Sequence, residues 1–388
     1  MQVTSNKLKS THIECPGSKS YANRLIFLAV LQKDTVEINN IPRCDDVLFF
    51  INALKEFGFP LEHDGNKLII NSYDKEILKR GPVYLGEGGT TIRFILVLLA
   101  SIGGQFKLKV EKRFLKRPID DFIELMDELG VIIQVEEDII KLNGRILKNK
   151  EIEVDCEKTT QFASAFLMLE KLDLVSSVSL INLNSSKDYI ELTKSIEISK
   201  SYTVTPDFSS LSYLLTWGVL REDIIISNVY EIDPLQADSK YIHFLNGLGA
   251  KVHFSSEGLQ IYKSNLVGNL KVDCSECLDL VPTLIVLSLG ANIKLELNNT
   301  KNLKYKESDR LAEIVKTLDR FNCKYDLKED TLLLSPERLE LNKQSIKCAH
   351  DHRIVMMNYL ILKLNHGGEI EPIMAINKSF PEFVEIFG

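Results

Sequence analysis

Four times along this chain an amphipathic helical pattern ends near Gly or Asn and is followed by two short alternating strands around an acidic turn. The copies run from Ala53 to Asn71, Glu124 to Gly144, Phe244 to Lys263 and Thr317 to Pro336. Their turns fall at Asp64-Gly65-Asn66, Glu136-Glu137-Asp138, Ser256-Glu257-Gly258 and Lys328-Glu329-Asp330. The helices end at Gly58, Gly130, Gly249 and Asn322, so the spacings are 72 (58 to 130), 119 (130 to 249) and 73 (249 to 322). Two nearly equal periods around a longer gap predict a helix-plus-hairpin unit of about 72 residues, with one degenerate copy, Tyr189 to Thr205, inside the gap. In that copy the hairpin is cut down to one strand, Tyr202 to Thr205. Helices alternating with mixed strands in a repeated unit imply an α/β architecture of repeated subdomains.

The 388 residues, 45% of them hydrophobic, are enough for a large core divided between two or more domains. A net charge of −7 argues against a surface that coats nucleic acid, although a local basic cleft for a small anion is compatible with it. Met1 to Ser10 lacks the apolar core of an export signal, and no apolar run approaches the roughly 20 residues of a membrane helix. Seven scattered cysteines then read as reduced thiols of a cytoplasmic protein. The pair Cys274 and Cys277 has no second ligand pair at finger spacing, so no metal is expected.

Several strings place cations and small donors at helix starts. In Pro16-Gly17-Ser18-Lys19-Ser20-Tyr21-Ala22-Asn23-Arg24, Ser18 or Ser20 can cap a helix whose free amides, with Lys19 and Arg24 beside them, suit a multiply charged anion. The same string also suits a capped surface helix with two solvated cations. Gly86-Glu87-Gly88-Gly89-Thr90 is a glycine turn between strand and helix that lets backbone amides approach an anion, but it is neither a Walker loop nor a dinucleotide fingerprint. Lys112 to Arg117 is a dense cationic loop, and Thr159-Thr160-Gln161 brings two hydroxyls and an amide to a helix start. Ser209 and Ser210 read as structural capping groups.

Taken together these strings resemble the enolpyruvyl transferase family, and within it the enzymes that act on shikimate-3-phosphate. The resemblance rests on the opening Pro-Gly-Ser-Lys-Ser-x-x-Asn-Arg and the glycine turn with Arg93. It continues through Arg117-Pro118, Thr159-Thr160-Gln161-Phe162, Ser186-Lys187-Asp188-Tyr189 and Asp279 with Thr283. Asn302 to Arg310 (Asn-Leu-Lys-Tyr-Lys-Glu-Ser-Asp-Arg), His350-Asp351-His352-Arg353 and Lys378-Ser379-Phe380-Pro381 complete it, so it spans essentially the whole chain. Two positions depart from the family pattern: Glu87 and His350 each stand where the family has Asn. No cysteine lies between Val110 and Pro118, where the nucleotide-sugar branch of the family carries a reactive one.

The resemblance implies an inside-out α/β barrel of two similar domains, each of three βαβαββ units, with the third unit shortened here. One domain is expected over 19–235 and a discontinuous one over 1–18 plus 236–388, with the site in the cleft between them. It implies transfer of the carboxyvinyl group of phosphoenolpyruvate to the 5-hydroxyl of shikimate-3-phosphate, releasing phosphate, by addition and elimination. Asp279, Glu307 and Lys19 are the implied catalytic residues, Asp279 as base toward the hydroxyl and Glu307 with Lys19 as proton exchanger at the methylene. Lys19, Ser20, Arg24, Thr159, Thr160, Gln161, Ser186, Tyr189, Asp279, Asn302 and Lys306 are implied to hold shikimate-3-phosphate. Lys19, Gly89, Thr90, Arg117, Gln161, Arg310, His352, Arg353 and Lys378 are implied to hold phosphoenolpyruvate. No cofactor, metal, nucleic acid or membrane is expected, and the chain is expected to act as a monomer. Because a carboxylate facing a ligand anion is unfavourable, Glu87 is expected to turn away and pair with Arg117 or Lys116. Two other readings stay open: an enolpyruvyl transferase that accepts a UDP-N-acetylglucosamine, and an inactive anion-binding homologue.

Overall fold

The computed structural model describes residues 1–32, 34–72, 81–336 and 344–388, and in it all four expected helix stops are left-handed: Gly58 (φ 91°), Gly130 (80°), Gly249 (86°) and Asn322 (52°). Glycine adopts that backbone without steric cost and Asn tolerates it, so these positions end helices where other residues would resist. At Gly58 the amide returns to the carbonyls of Leu54 and Lys55, which closes the helix Asp45–Phe57. Each stop leads into the expected antiparallel hairpin: Leu61–His63 with Lys67–Ile70, Val131–Glu136 with Ile139–Gly144, Lys251–Ser255 with Gly258–Tyr262, and Tyr325–Lys328 with Thr331–Leu334.

The chain forms two compact units, residues 17–205 and residues 1–16 with 206–388. The junctions therefore lie at 16/17 and 205/206 rather than at the expected 18/19 and 235/236. Residues 206–235 belong to the second unit for a physical reason. Their helix Phe208–Leu220 packs on Val281–Ala291, and their strand Ile224–Ile226 pairs with both Gly258–Tyr262 and His12–Ile13.

In the unit 17–205, one four-stranded sheet runs Ser201–Thr203, Val36–Asn39, Lys67–Ile70, Leu61–His63, and another runs Pro82–Tyr84, Gly104–Lys109, Ile139–Gly144, Val131–Glu136. The third has two described strands, Glu151–Asp155 parallel to Ser177–Ile181. This is the shortened repeat. After the helix Lys187–Ser195 the single strand Ser201–Thr203 leaves to join Val36–Asn39 in parallel, as the degenerate copy requires.

Three helices, Lys19–Leu31, Gly89–Ile102 and Gln161–Lys171, pack on one another inside this unit. They are apolar on nearly every face, the pattern of a fully enclosed helix, and residues such as Leu28, Leu96 and Phe166 are wholly buried. Each such side chain contributes about 1.5–3 kcal/mol of burial. In the other unit Val281–Ala291 packs against both Phe208–Leu220 and His352–Asn365, which are apolar on nearly every face as well. The outer helices, such as Asp45–Phe57 and Arg310–Arg320, bury one stripe only. Most of the strings singled out in the sequence lie at the starts of these inner helices or on the loops beside them.

Candidate active site

In the unit 17–205 the opening helix starts at Ser18, whose hydroxyl accepts from the Tyr21 amide. Lys19 follows, and its Nζ lies 2.9 Å from Oδ2 of the buried Asp46. Asp46 also accepts, through its carbonyl, the hydroxyl proton of Thr91 (2.7 Å). Arg24 is buried and makes four hydrogen bonds. They go from Nε to Thr193 Oγ1 (2.8 Å), from Nη1 to the Ser20 carbonyl (2.8 Å), and from Nη2 to Ser164 Oγ (3.0 Å) and the Tyr189 carbonyl (3.3 Å). At most one of its five N–H groups is left for a ligand, so its larger part is to tie Ser20 and Tyr189 together. Burial lowers its pKa to about 10.

The glycine turn is shaped by its neighbours. A Cβ on Gly89 would lie 2.2 Å from Nη1 of Arg117, and one on Gly88 would lie 2.5 Å from Oδ1 of Asp46, so a side chain at either position would displace these groups. Glu87 pairs with Arg113 (2.7 Å), a cation outside the expected candidates Arg117 and Lys116. Arg117, which follows the short turn Phe114–Lys116, lies against Gly89. Gln161 bridges two elements: its Nε2 donates to Thr90 Oγ1 (2.8 Å) and its Oε1 accepts from Arg93. Thr160 is buried, and Thr159 Oγ1 accepts from the Gln161 amide (3.3 Å). Ser186 holds a left-handed backbone (φ 59°) at the start of the helix that carries Tyr189, a strained conformation for serine that directs its side chain.

The other unit gathers acids and cations. Asp279, on the short turn Leu278–Leu280, places Oδ1 2.6 Å from Arg310 Nη1 and 3.5 Å from Lys306 Nζ, and Oδ2 3.3 Å from Arg353 Nη2. Asp351 caps the helix His352–Asn365 through the Arg353 amide and holds Arg310 Nε at 2.8 Å with its other oxygen, which also accepts from Ser308. Glu307 lies between His352 Nδ1 (2.9 Å) and Lys378 Nζ (3.0 Å). Burial alone would raise the pKa of Asp279, but Arg353, Lys306 and Arg310 together hold it well below the usual carboxylate range. Glu307 is treated the same way: burial opposes its charge, and His352 and Lys378 more than restore it. Glu307, Asp351 and His352 stand close enough to share a cation, yet Lys378 and Arg310 already occupy the two carboxylates.

Ser209 and Ser210 depart from the expected capping role. Ser209 Oγ donates to the buried Asp238, and Ser210 Oγ donates to Asp207 (2.7 Å). Asp238 is the one buried acid here with the opposite shift: burial, then the negative charge of Asp279, pushes its pKa up to about 7.

The structure thus brings Lys19, Ser20, Arg24, Gly89, Thr90, Arg117, Thr159, Thr160, Gln161, Ser186 and Tyr189 to helix starts and adjoining loops of one unit. It gathers Asp279, Lys306, Glu307, Arg310, His352, Arg353 and Lys378 into linked ion pairs of the other, with Asn302 on the turn Lys301–Tyr305 that leads into them. Sequence reading gave no role to Asp46, Arg93, Asp238 or Asp351. Arg93 and Asp351 lie inside the strings already singled out, but Asp46 looks like any acidic helix start.

The family model described as EPSP synthase (3-phosphoshikimate 1-carboxyvinyltransferase) matches residues 3–196 and 181–387. A 3-phosphoshikimate 1-carboxyvinyltransferase of Clostridium kluyveri is 26% identical over 416 residues, spanning 100% of this chain and 96% of that protein. One of Thermococcus kodakarensis is 29% identical over 399 residues, spanning 96% and 95%. Among solved structures, an EPSP synthase from Acinetobacter baumannii superposes with a TM-score of 0.76 at 18% identity, covering 99% of this chain and 96% of the other. The enolpyruvyl transferase NikO from Streptomyces tendae gives 0.70 at 13% identity, covering 99% and 95%.

Proposed function

The chain belongs to the EPSP synthase family, and from that premise we propose how its residues divide the work of the reaction. That reaction is the transfer of the carboxyvinyl group of phosphoenolpyruvate to the 5-hydroxyl of shikimate-3-phosphate, with release of phosphate, in aromatic amino-acid biosynthesis. Both ligands are multiply charged anions, so the first requirement is positive charge, offset here at Lys19 by the carboxylate of Asp46. Lys19, Arg24, Arg117 and the hydroxyls of Ser20, Thr159, Thr160 and Ser186 meet it, with Tyr189 against the ring and the amides of Gly89 and Thr90 beside Arg117. The second requirement is proton traffic: the vinyl methylene gains a proton as cationic character builds at the central carbon, and the attacking hydroxyl loses one.

Asp279 acts as base toward the hydroxyl, and Glu307, with Lys19, exchanges the proton at the methylene. The observation that carries this reading is the crowding of Asp279 by Arg310, Arg353 and Lys306. In the unliganded state these cations make Asp279 a weak base. Arg310 and Arg353 are also the forks suited to a ligand carboxylate or phosphate. As a ligand anion draws them off, the depression of the Asp279 pKa is relieved, and the base gains strength only when substrate is present. Lys378 and His352 stand in the same relation to Glu307.

Phosphate release from shikimate-3-phosphate plus phosphoenolpyruvate, followed by a coupled assay, tests the reading. Activity that requires both ligands is expected. Release from phosphoenolpyruvate with a UDP-N-acetylglucosamine instead, or no release at all, would overturn it.

A further inference from the structure

Arg93 lies on the helix Gly89–Ile102, is 1% exposed, and has no role in the reaction described above. Its guanidinium is stacked between aromatic rings, 5.5 Å from the Phe114 centroid and 5.2 Å from that of Phe162. Its Nη1 donates to Gln161 Oε1, and its Nη2 to the carbonyl of Pro118 (2.7 Å), the residue after Arg117. Its Nε has no acceptor among the described residues. Burial first, and then the charge of Arg117, pull its pKa well below that of an ordinary arginine. A buried cation held without a carboxylate is costly, so its two bonds deserve a chemical reading.

Arginine has five donors and no acceptor. Whatever Gln161 turns toward Arg93 must therefore be its carbonyl oxygen, and its NH₂ must face the other way, where it meets Thr90 Oγ1 at 2.8 Å. With its oxygen already accepting that N–H, the Thr90 hydroxyl keeps its own proton to donate onward. The order of donors, Arg93 to Gln161 to Thr90, is thus fixed in one direction, and each bond polarises the next. We infer that Arg93 is a positioning residue that makes Gln161 and Thr90 committed donors toward a ligand anion and, through the Pro118 carbonyl, anchors the backbone beside Arg117. This deepens the function proposed above and rests on the assignment of Gln161, Thr90 and Arg117 to the ligands.

The test compares wild type, Arg93→Lys, Gln161→Glu and the double variant, by Michaelis constants, by calorimetric binding of phosphoenolpyruvate and by thermal melting. Gln161→Glu gives the buried arginine a counter-charge but reverses the relay, because a carboxylate only accepts. The melting temperature should hold or rise while the Michaelis constant for phosphoenolpyruvate increases at least tenfold, a combination that a purely structural role would not produce. Arg93→Lys alone should also raise it at least tenfold, but should add less than threefold in the Gln161→Glu background. Fully multiplying effects, or an Arg93→Lys constant within twofold of wild type, would overturn the inference, and Arg93→Gln takes the place of Arg93→Lys in the same cycle if that variant does not fold. If wild type releases no phosphate yet binds phosphoenolpyruvate and the cycle on binding is non-additive, the transferase reading fails and the role of Arg93 stands. If wild type does not bind phosphoenolpyruvate, both fail.

Discussion

The two units treat buried arginine in opposite ways. In residues 17–205, Arg24 and Arg93 are enclosed by hydroxyls, carbonyls and aromatic rings, and burial lowers the pKa of both. In the other unit burial works against Arg310 and Arg353 too, but Asp351 and Asp279 outweigh it at Arg310, and Asp279 does so at Arg353, so both are raised. In the first unit these two buried arginines are held by neutral groups, although Lys19 nearby is paired with Asp46. The second is neutralised by its own acids, and a ligand must exchange partners with it. One arrangement suits holding a phosphate; the other suits moving protons, because its carboxylates change basicity as their cations are drawn away.

The sharpest way to break this division is to neutralise the acids. Asp279→Asn and Glu307→Gln should each lower turnover by about 10²–10⁴-fold, the usual range for a lost general acid or base, with smaller effects on the Michaelis constants. Turnover within a few-fold of wild type in either variant would remove the proton-handling role from that side.

Next in size is the contrast between the arginines themselves. Arg310→Met leaves the buried Asp351 without its arginine and takes one of three cations from Asp279, and should destabilise the protein by about 3–5 kcal/mol, as breaking a buried pair does. Arg93→Met strands only neutral acceptors and should lose about 1–3 kcal/mol. Urea unfolding of both variants decides, and equal losses would mean that the two environments are not different in kind.

Asp238 sharpens the comparison through pH. Its folded pKa, about 7, lies above the roughly 3.9 of an unfolded Asp, so the folded state holds the extra proton between those values. Its contribution is complete below about pH 4 and is lost as pH rises through about 7. Asp238→Asn should therefore flatten the fall in stability over that interval, and urea midpoints at pH 5 and pH 8 measure it. A wild-type slope that persists in the variant would assign the pH dependence elsewhere.

The smallest effect belongs to Glu87. Already paired with Arg113, it should not repel the ligand, and Glu87→Gln should change the Michaelis constant for phosphoenolpyruvate by less than about threefold. A tenfold fall would show that the carboxylate faces the site.

Much of this was legible in the sequence because it depends on local rules. Gly58, Gly130, Gly249 and Asn322 had to be residues that accept left-handed backbone, and their spacing disclosed the repeat before any strand was paired. The strings at the helix starts were legible because donors and cations there have few other uses in combination. What escaped depends on neighbours distant in sequence. Asp46 matters because Lys19 and Gly88 close on it, and nothing near residue 46 announces either. Glu87 was expected to find a cation and did, but Arg113 was not among the candidates, and which cation of a dense loop comes within reach is not written in its charge pattern. The boundary at 205/206 was hidden because the helix Phe208–Leu220 declares its unit only by what it packs against.

The shortened third repeat leaves one further mark. In the neighbouring sheet the strand Gly104–Lys109 is flanked on both sides, whereas Ser177–Ile181 has a described strand on one side only. On Ser177–Ile181 the amide of Val178 donates instead to a carboxylate oxygen of Glu170 (2.9 Å), a side chain from the adjacent helix. Ser-Val-Ser-Leu-Ile is uncharged and free of proline, a composition that readily recruits strands from other molecules when its edge is open. Glu170 thus satisfies one amide on the side of this strand that has no described partner strand, and the same edge is where a transplanted hairpin would restore what the repeat has lost.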